Sequence, residues 1–191
     1  MSDQRDRVTR IRLTGRGGQG IMLAGAILAE AAMNEGRQVT ETQEYGPEAR
    51  LGATKAEVIL SARPIAFPQV LVPDILVCLS REGFLRYGRQ IAPDGMRLVE
   101  QSALGDAPVE PGLWALPWRA LARGLGQELA MNMAALGSLA RVRTVVSLDA
   151  IAAAVRRRVK PDLLDLNLAA LTAGYELAPR LGGAPSEPAV G

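Results

Sequence analysis

Apolar and polar residues alternate through "VTRIRLT", Val8 to Thr14, as in a strand with one covered face. After a glycine-rich break, "IMLAGAILAEAAM" predicts a helix from about Gly20 to Asn34, with Gly36 in the C-terminal stop position. "RQVTE" and "ATKAEVILS" read as two further strands, and between them the proline and glycines of "YGPEARLG" mark a loop from Tyr45 to Gly52. "ARPIAFPQV", with its two prolines, is a connector. "PDILVCLS" is a continuous apolar run, the pattern of a strand covered on both faces. A helix from about Arg81 to Ile91 and a "PDG" turn lead to the strand "MRLVE". "EPGLWALPW" holds the last strand and feeds a helix from about Arg119.

The final third changes character. "ELAMNMAALGSLARV", "DAIAAAVRRRV" and "PDLLDLNLAALTAGYELA" read as helices, with no strand of comparable strength among them. Residues 179–191, "PRLGGAPSEPAVG", read as a disordered tail. The expected fold class is α/β: residues 1–178 form a single three-layer α/β/α domain, with a mostly parallel or mixed sheet and a helical C-terminal third. The closing helix is apolar on nearly every side, which favours burial against another subunit. Trp114 is expected in the core and Trp118 at a partner-facing position.

Composition removes more chemistry than it suggests. The 191 residues are 48% hydrophobic and 22% charged, enough for a substantial core. Basic residues number 22 against 20 acidic ones, and the two are interleaved, so no nucleic-acid stripe stands out. Arg156, Arg157 and Arg158 with Lys160 read as a solvated helix end. There is no histidine, which removes the commonest general base and zinc ligand. The single cysteine, Cys78, falls in an apolar strand and reads as a buried thiol. One cysteine holds neither an iron–sulfur cluster nor an internal disulfide. No signal peptide or membrane span is evident, and a cytoplasmic protein is expected. No residue is assigned a catalytic role and no metal site is expected.

The candidate chemistry lies in "GRGGQG", between the first strand and the first helix. Backbone N–H groups of such a turn converge beside the positive end of the helix, forming a cradle for phosphate or carboxylate. Tight strand–helix packing without a ligand is the alternative. Gly15, Gly17 and Gly20 also satisfy the dinucleotide spacing, and Glu41 lies about where an acid would bind the ribose hydroxyls. A small NAD(P)-binding protein is therefore one alternative reading. A non-enzymatic interaction module of another complex is a second.

The wording "GRGGQGIMLAGAILAEAA", followed by "YGPEARLGATKAEVILS" and "PDILVCLS", resembles the gamma subunit of the 2-oxoacid:ferredoxin oxidoreductases. The likeness runs from about residue 8 to 178. It includes "MNMAALGSLA" and "NLAALTAGYELA", with Asn132, Gly137, Asn167, Gly174 and Tyr175 in matching places. Leu51 departs from the pattern, since the family more often has glycine there. The resemblance implies an accessory subunit of a complex that decarboxylates a 2-oxoacid to an acyl-CoA and passes electrons to ferredoxin or a further subunit. Thiamine diphosphate, magnesium and the iron–sulfur clusters would be carried by partner subunits, with no catalysis by the isolated chain. The expected subunit-interface or cofactor-binding residues are Gly15, Gly17, Gly18, Gln19 and Gly20 in the first loop, with Tyr45, Glu48 and Arg50 in the second. These loops would meet either a partner subunit alone or part of coenzyme A. Arg50 could clamp a phosphate or carboxylate, or pair with Glu48 or Glu44 to fix its own loop. Asn132 and Asn167 are expected to cap or bridge helices.

Overall fold

The computed structural model describes residues 8–44, 53–143 and 145–178. Among these residues, six strands form one sheet in the order β2-β3-β1-β4-β5-β6. They are β1 (Thr9–Arg16), β2 (Gln38–Glu44), β3 (Ala53–Ser61), β4 (Ile75–Cys78), β5 (Met96–Glu100) and β6 (Leu113–Leu116). Strands β1, β4, β5 and β6 run parallel, while β3 is antiparallel to both of its neighbours, β1 and β2. The helices are α1 (Ile21–Asn34), α2 (Arg81–Tyr87), α3 (Gln101–Leu104), α4 (Trp118–Gly124), α5 (Met131–Val142), α6 (Leu148–Arg158) and α7 (Pro161–Leu177). A 3-10 turn, Glu128–Ala130, leads into α5. Helix α2 is shorter than its expected end at Ile91 and stops at Gly88, whose N–H closes on the Phe84 carbonyl.

The sheet has a thick and a thin cover. Ile11, Leu13, Ile75, Val77 and Leu98 face a large core built with α1, α5, α6 and α7. Leu76, Cys78 and Val99 face a smaller cluster with Tyr87, Ala103 and Leu104 from the α2 and α3 side. This corrects the reading of β1 as a strand with one covered face: Arg12 and Thr14, on the polar phase of the alternation, are also buried. A buried charge needs compensation. Arg12 Nε donates to Glu57 Oε1 at 2.7 Å, Nη1 to Gln90 Oε1 at 2.9 Å and Nη2 to the Val70 carbonyl at 2.9 Å. Its guanidinium also lies 5.1 Å from the Tyr87 ring centre. Lys55 Nζ reaches the same Glu57 oxygen at 3.3 Å. Thr14 donates to the Thr54 carbonyl. Period-two polarity here encodes an internal polar network.

The C-terminal helices pack backbone to backbone. A Cβ on Gly137 would strike the Leu171 carbonyl oxygen of α7, and one on Gly174 would strike the Ala134 carbonyl oxygen of α5. Ser138 Oγ donates to the Gly174 carbonyl at 2.7 Å and accepts from Trp118 Nε1 at 2.8 Å. The partner-facing expectation for Trp118 is thereby overturned: it is fully buried and its indole N–H has an internal partner. Trp114 is half-buried and packs against the main core. Leu171 of α7 is buried in the main core. Leu164, Leu166, Leu168 and Leu177 pack against the main core, while Asp162, Asp165, Thr172 and Glu176 are exposed.

Arg157 and Arg158 also have a specific role, contrary to a simple solvated helix end: both bind the Glu30 carboxylate of α1. The Arg157 hydrogen bond, aided by Arg158, holds the Glu30 carboxyl below its ordinary value of 4.5. Because the folded-state pKa is depressed, this stabilisation is present above about pH 4.5 and disappears as pH falls through the lower folded value. Glu30→Gln should therefore reduce stability at pH 7 by no more than about 1 kcal/mol, since the arginines are half-exposed. Urea melts at pH 7 and pH 3 should show the difference shrinking toward zero at the lower pH.

Candidate functional site

Helix α1 follows β1 onto the thick face, and α2 follows the adjacent parallel strand β4 onto the thin face. Neighbouring parallel strands whose helices depart to opposite faces leave a crevice at their C-terminal ends. The glycine loop sits at that point. Beside it is a cleft of about 400 Å³, whose lining includes Gly17, Gly18, Ser80, Arg81, Ser102 and Arg119.

The loop residues divide into two sets. Gly15 lies within β1, where a Cβ would meet Gln19 Oε1 at 2.6 Å and Ile21 Cδ1 at 2.8 Å. Its missing side chain lets the Gln19 amide fold back. Gln19 Oε1 accepts from Arg16 N at 2.6 Å, and Gln19 Nε2 donates to the Leu79 carbonyl at 3.4 Å. Gln19 thus ties the end of β1 to the end of β4. Gly20, at φ 71°, caps α1. Its carbonyl accepts from Asn132 Nδ2 at 3.3 Å, while Asn132 Oδ1 accepts from Met133 N at 2.8 Å. Asn132 thereby bridges α5 to the loop. Gly17 and Gly18 make no such packing contact: nothing lies within 4 Å of either Cβ position, and Gly18 has φ 88°. No acidic residue or side-chain cap occupies the first turn of α1, so its positive end remains available to the loop.

Three guanidinium groups surround the cleft. Arg16 pairs with Glu82 and holds that carboxyl below its ordinary pKa. Arg119 Nε lies 3.1 Å from Glu128 Oε1. Arg81 Nη1 donates to the Leu104 carbonyl at 2.9 Å. Among the described residues that line the cleft, three cations face two carboxylates beside two bare glycine backbones, which suits an anionic group. Glu100, buried at the end of β5, accepts from Arg119 N at 2.9 Å and Ser102 Oγ at 3.0 Å. It fixes the starts of α3 and α4, which form the opposite wall. Sequence reasoning did not single out Glu100, Arg81 or Arg119; their positions after successive parallel strands were the available signal.

Cys78 is buried, and its thiol is pushed up to about 12 by that burial. It is neutral at physiological pH, as expected of a structural thiol. Glu41 does not approach the glycine loop. It lies on β2, which is separated from β1 by the antiparallel β3, and its carboxylate sits beside the second turn of α1 near Gly25. The acid required by the dinucleotide reading is therefore on the wrong strand and too far along the helix. Tyr45, Glu48 and Arg50, with Leu51, lie outside the described residues. The flanking residue Ala53 pairs with Arg16, at the glycine-loop end of the sheet. Asn167 donates to the Leu163 carbonyl at 2.7 Å within its own helix.

The family model "Pyruvate ferredoxin/flavodoxin oxidoreductase" matches residues 10–177. The 2-oxoglutarate synthase subunit KorC of Methanocaldococcus jannaschii is 39% identical over 176 residues, covering 90% of this chain and 94% of that protein. The ketoisovalerate oxidoreductase subunit VorA of Methanothermobacter thermautotrophicus is 30% identical over 88% of this chain, but the match covers 36% of that longer protein. Among solved structures, the gamma subunit of a keto/oxoacid ferredoxin oxidoreductase from Geobacter sulfurreducens superimposes with TM-score 0.79 at 35% identity. That match covers 90% of this chain and 96% of the other. The 2-oxoglutarate:ferredoxin oxidoreductase of Magnetococcus marinus shares the fold, with TM-score 0.81 at 21% identity; the match covers 91% of this chain and 31% of the other.

Proposed function

This chain belongs to the pyruvate ferredoxin/flavodoxin oxidoreductase family, and we propose that it is the gamma subunit of a 2-oxoglutarate-oxidising complex. The observation carrying the substrate choice is the 39% identity to a 2-oxoglutarate synthase subunit over nearly the full length of both chains. The complex converts the 2-oxoacid to an acyl-CoA and passes the electrons to ferredoxin or a further subunit. Residues 1–178 form the gamma-type domain. Among the described residues no helix is long and apolar enough to cross a membrane, and the proposed location is the cytoplasm.

The donor set of this chain does not fit thiamine diphosphate with its magnesium, or an iron–sulfur cluster. Clusters require several thiolates, whereas this chain has one cysteine, held as a neutral thiol. Among the described residues no three His, Cys, Asp or Glu converge on a point. Those groups are assigned to the partner subunits.

The cleft does fit a phosphate-bearing ligand, and coenzyme A is the one we assign to it. Gly17 and Gly18 would present backbone to its phosphates, with Arg16, Arg81 and Arg119 supplying positive charge. Gln19, Asn132 and Glu100 would hold the walls in place. Tyr45, Glu48 and Arg50 are proposed to meet a partner or the same ligand from the adjoining loop.

The substrate assignment is tested by viologen reduction with the assembled complex. 2-Oxoglutarate should give a higher kcat/KM than pyruvate or 3-methyl-2-oxobutanoate, and preference for either of the latter would refute it. The cleft is tested by Gly18→Val, with Gly36→Val as control. Both positions have positive φ and open surroundings, so each should lose about 1–3 kcal/mol in stability. Gly18→Val alone should raise the KM for coenzyme A or weaken assembly, because Gly36 lies away from the cleft on the turn after α1.

A further inference from the structure

We propose that the thin face of the sheet docks a partner subunit whose matching surface is apolar with an acidic rim. The inference rests on the reading of this chain as a subunit of a complex. The connector between β3 and β4 crosses this face beside α2. Arg12 binds the Val70 carbonyl of the connector and the Gln90 side chain just after α2, and Ala92 N donates to the Pro73 carbonyl at 3.0 Å. These bonds tie the connector to the stretch just after α2.

Four large apolar side chains are exposed on these segments: Leu85 (72%), Leu71 (70%), Phe67 (56%) and Val72 (49%). An aromatic and three aliphatic side chains left in water on adjoining segments mark an interaction surface. The exposed charges on the same segments are Arg63, Arg86 and Arg89, with Arg81 turned to the cleft and Asp94 in the turn before β5. The only carboxylate on α2, Glu82, faces the cleft and is bound by Arg16, and residues 62–72 contain none. Apolar and aromatic anchors set among arginines, without lysine, have the composition of a protein interface.

Charge also selects the occupant. A second copy related by a two-fold axis would set Arg86 and Arg89 against a surface equally rich in arginine, whereas an acidic rim would complement them. The VorA relative, in which the matched stretch is about a third of a longer chain, shows that this module works beside further polypeptide.

The test co-expresses the chain with the thiamine-binding and cluster-binding subunits and compares wild type with Leu71→Asp/Leu85→Asp and Arg86→Glu/Arg89→Glu. Met33→Asp, at an exposed position on α1, serves as control. Both double variants should recover at least about tenfold less partner than wild type or control. Their isolated chains should retain the wild-type melting temperature and sediment as monomers. The charge-reversal variant should lose less at high salt. Wild-type recovery of partner by both double variants would overturn the docking surface. So would a wild-type dimer abolished by Leu71→Asp/Leu85→Asp, which would identify a second copy as the occupant. A melting temperature lowered in that variant with assembly intact would place another part of this chain on the patch and would also overturn the proposal. Failure of the wild-type chain to recover any partner would instead refute the subunit reading itself.

Discussion

Gly174→Val should lower the melting temperature of the isolated chain by roughly 10 °C, the shift that about 3 kcal/mol produces in a domain of this size. The cause is geometric: the new Cβ would occupy the space of the Ala134 carbonyl oxygen, and backbone cannot move aside as a flexible side chain can. Helices α5 and α7 would have to separate, stretching the Ser138-to-Gly174 hydrogen bond and disturbing Trp118 beneath it. Gly137→Val should act similarly through the Leu171 carbonyl. Gly124→Ala, with open space at its Cβ position, should be neutral or slightly stabilising. Calorimetry of these variants checks the ranking, and equal melting points for Gly174→Val and wild type would show that the close crossing is not maintained in solution.

Arg12→Met should cost about 3–5 kcal/mol, because it leaves Glu57 buried with Lys55 as its one counter-charge among the described residues. The loss would also free the Val70 carbonyl and Gln90, loosening the connector from α2. The double variant Arg12→Met/Glu57→Leu should recover much of that loss, since an apolar pair avoids the unpaired charge. Urea denaturation of the single and double variants measures the coupling. A double variant less stable than Arg12→Met would contradict this account of the network.

The fold was largely legible because its strands and helices carry clear patterns. "PDILVCLS" is apolar throughout and lies in the sheet between β1 and β5, covered on both faces. β1 misled in a specific way. Its arginine and threonine suggested a wet face, yet each finds an internal partner contributed by residues 40 or more positions away. No local pattern reveals such a partner. Trp118 was misplaced for the same reason: the partner of its indole N–H, Ser138, lies on a different helix. The glycine loop was recognisable as a unit, but only the packing around each Cβ separates Gly15 and Gly20, which make room for neighbours, from Gly17 and Gly18, which face the cleft. The far wall escaped notice because Glu100, Arg81 and Arg119 belong to three separate segments that meet only after the parallel strands align.

The most direct measurement of the central claim is viologen reduction by the partner subunits with 2-oxoglutarate and coenzyme A, in the presence and absence of this chain. The complete set should turn over, the isolated chain should be inactive, and the partners alone should lose most of their rate and regain it when the chain is added back. Turnover by the isolated chain, or full activity by the partners without it, would contradict its assignment as an accessory subunit of the complex.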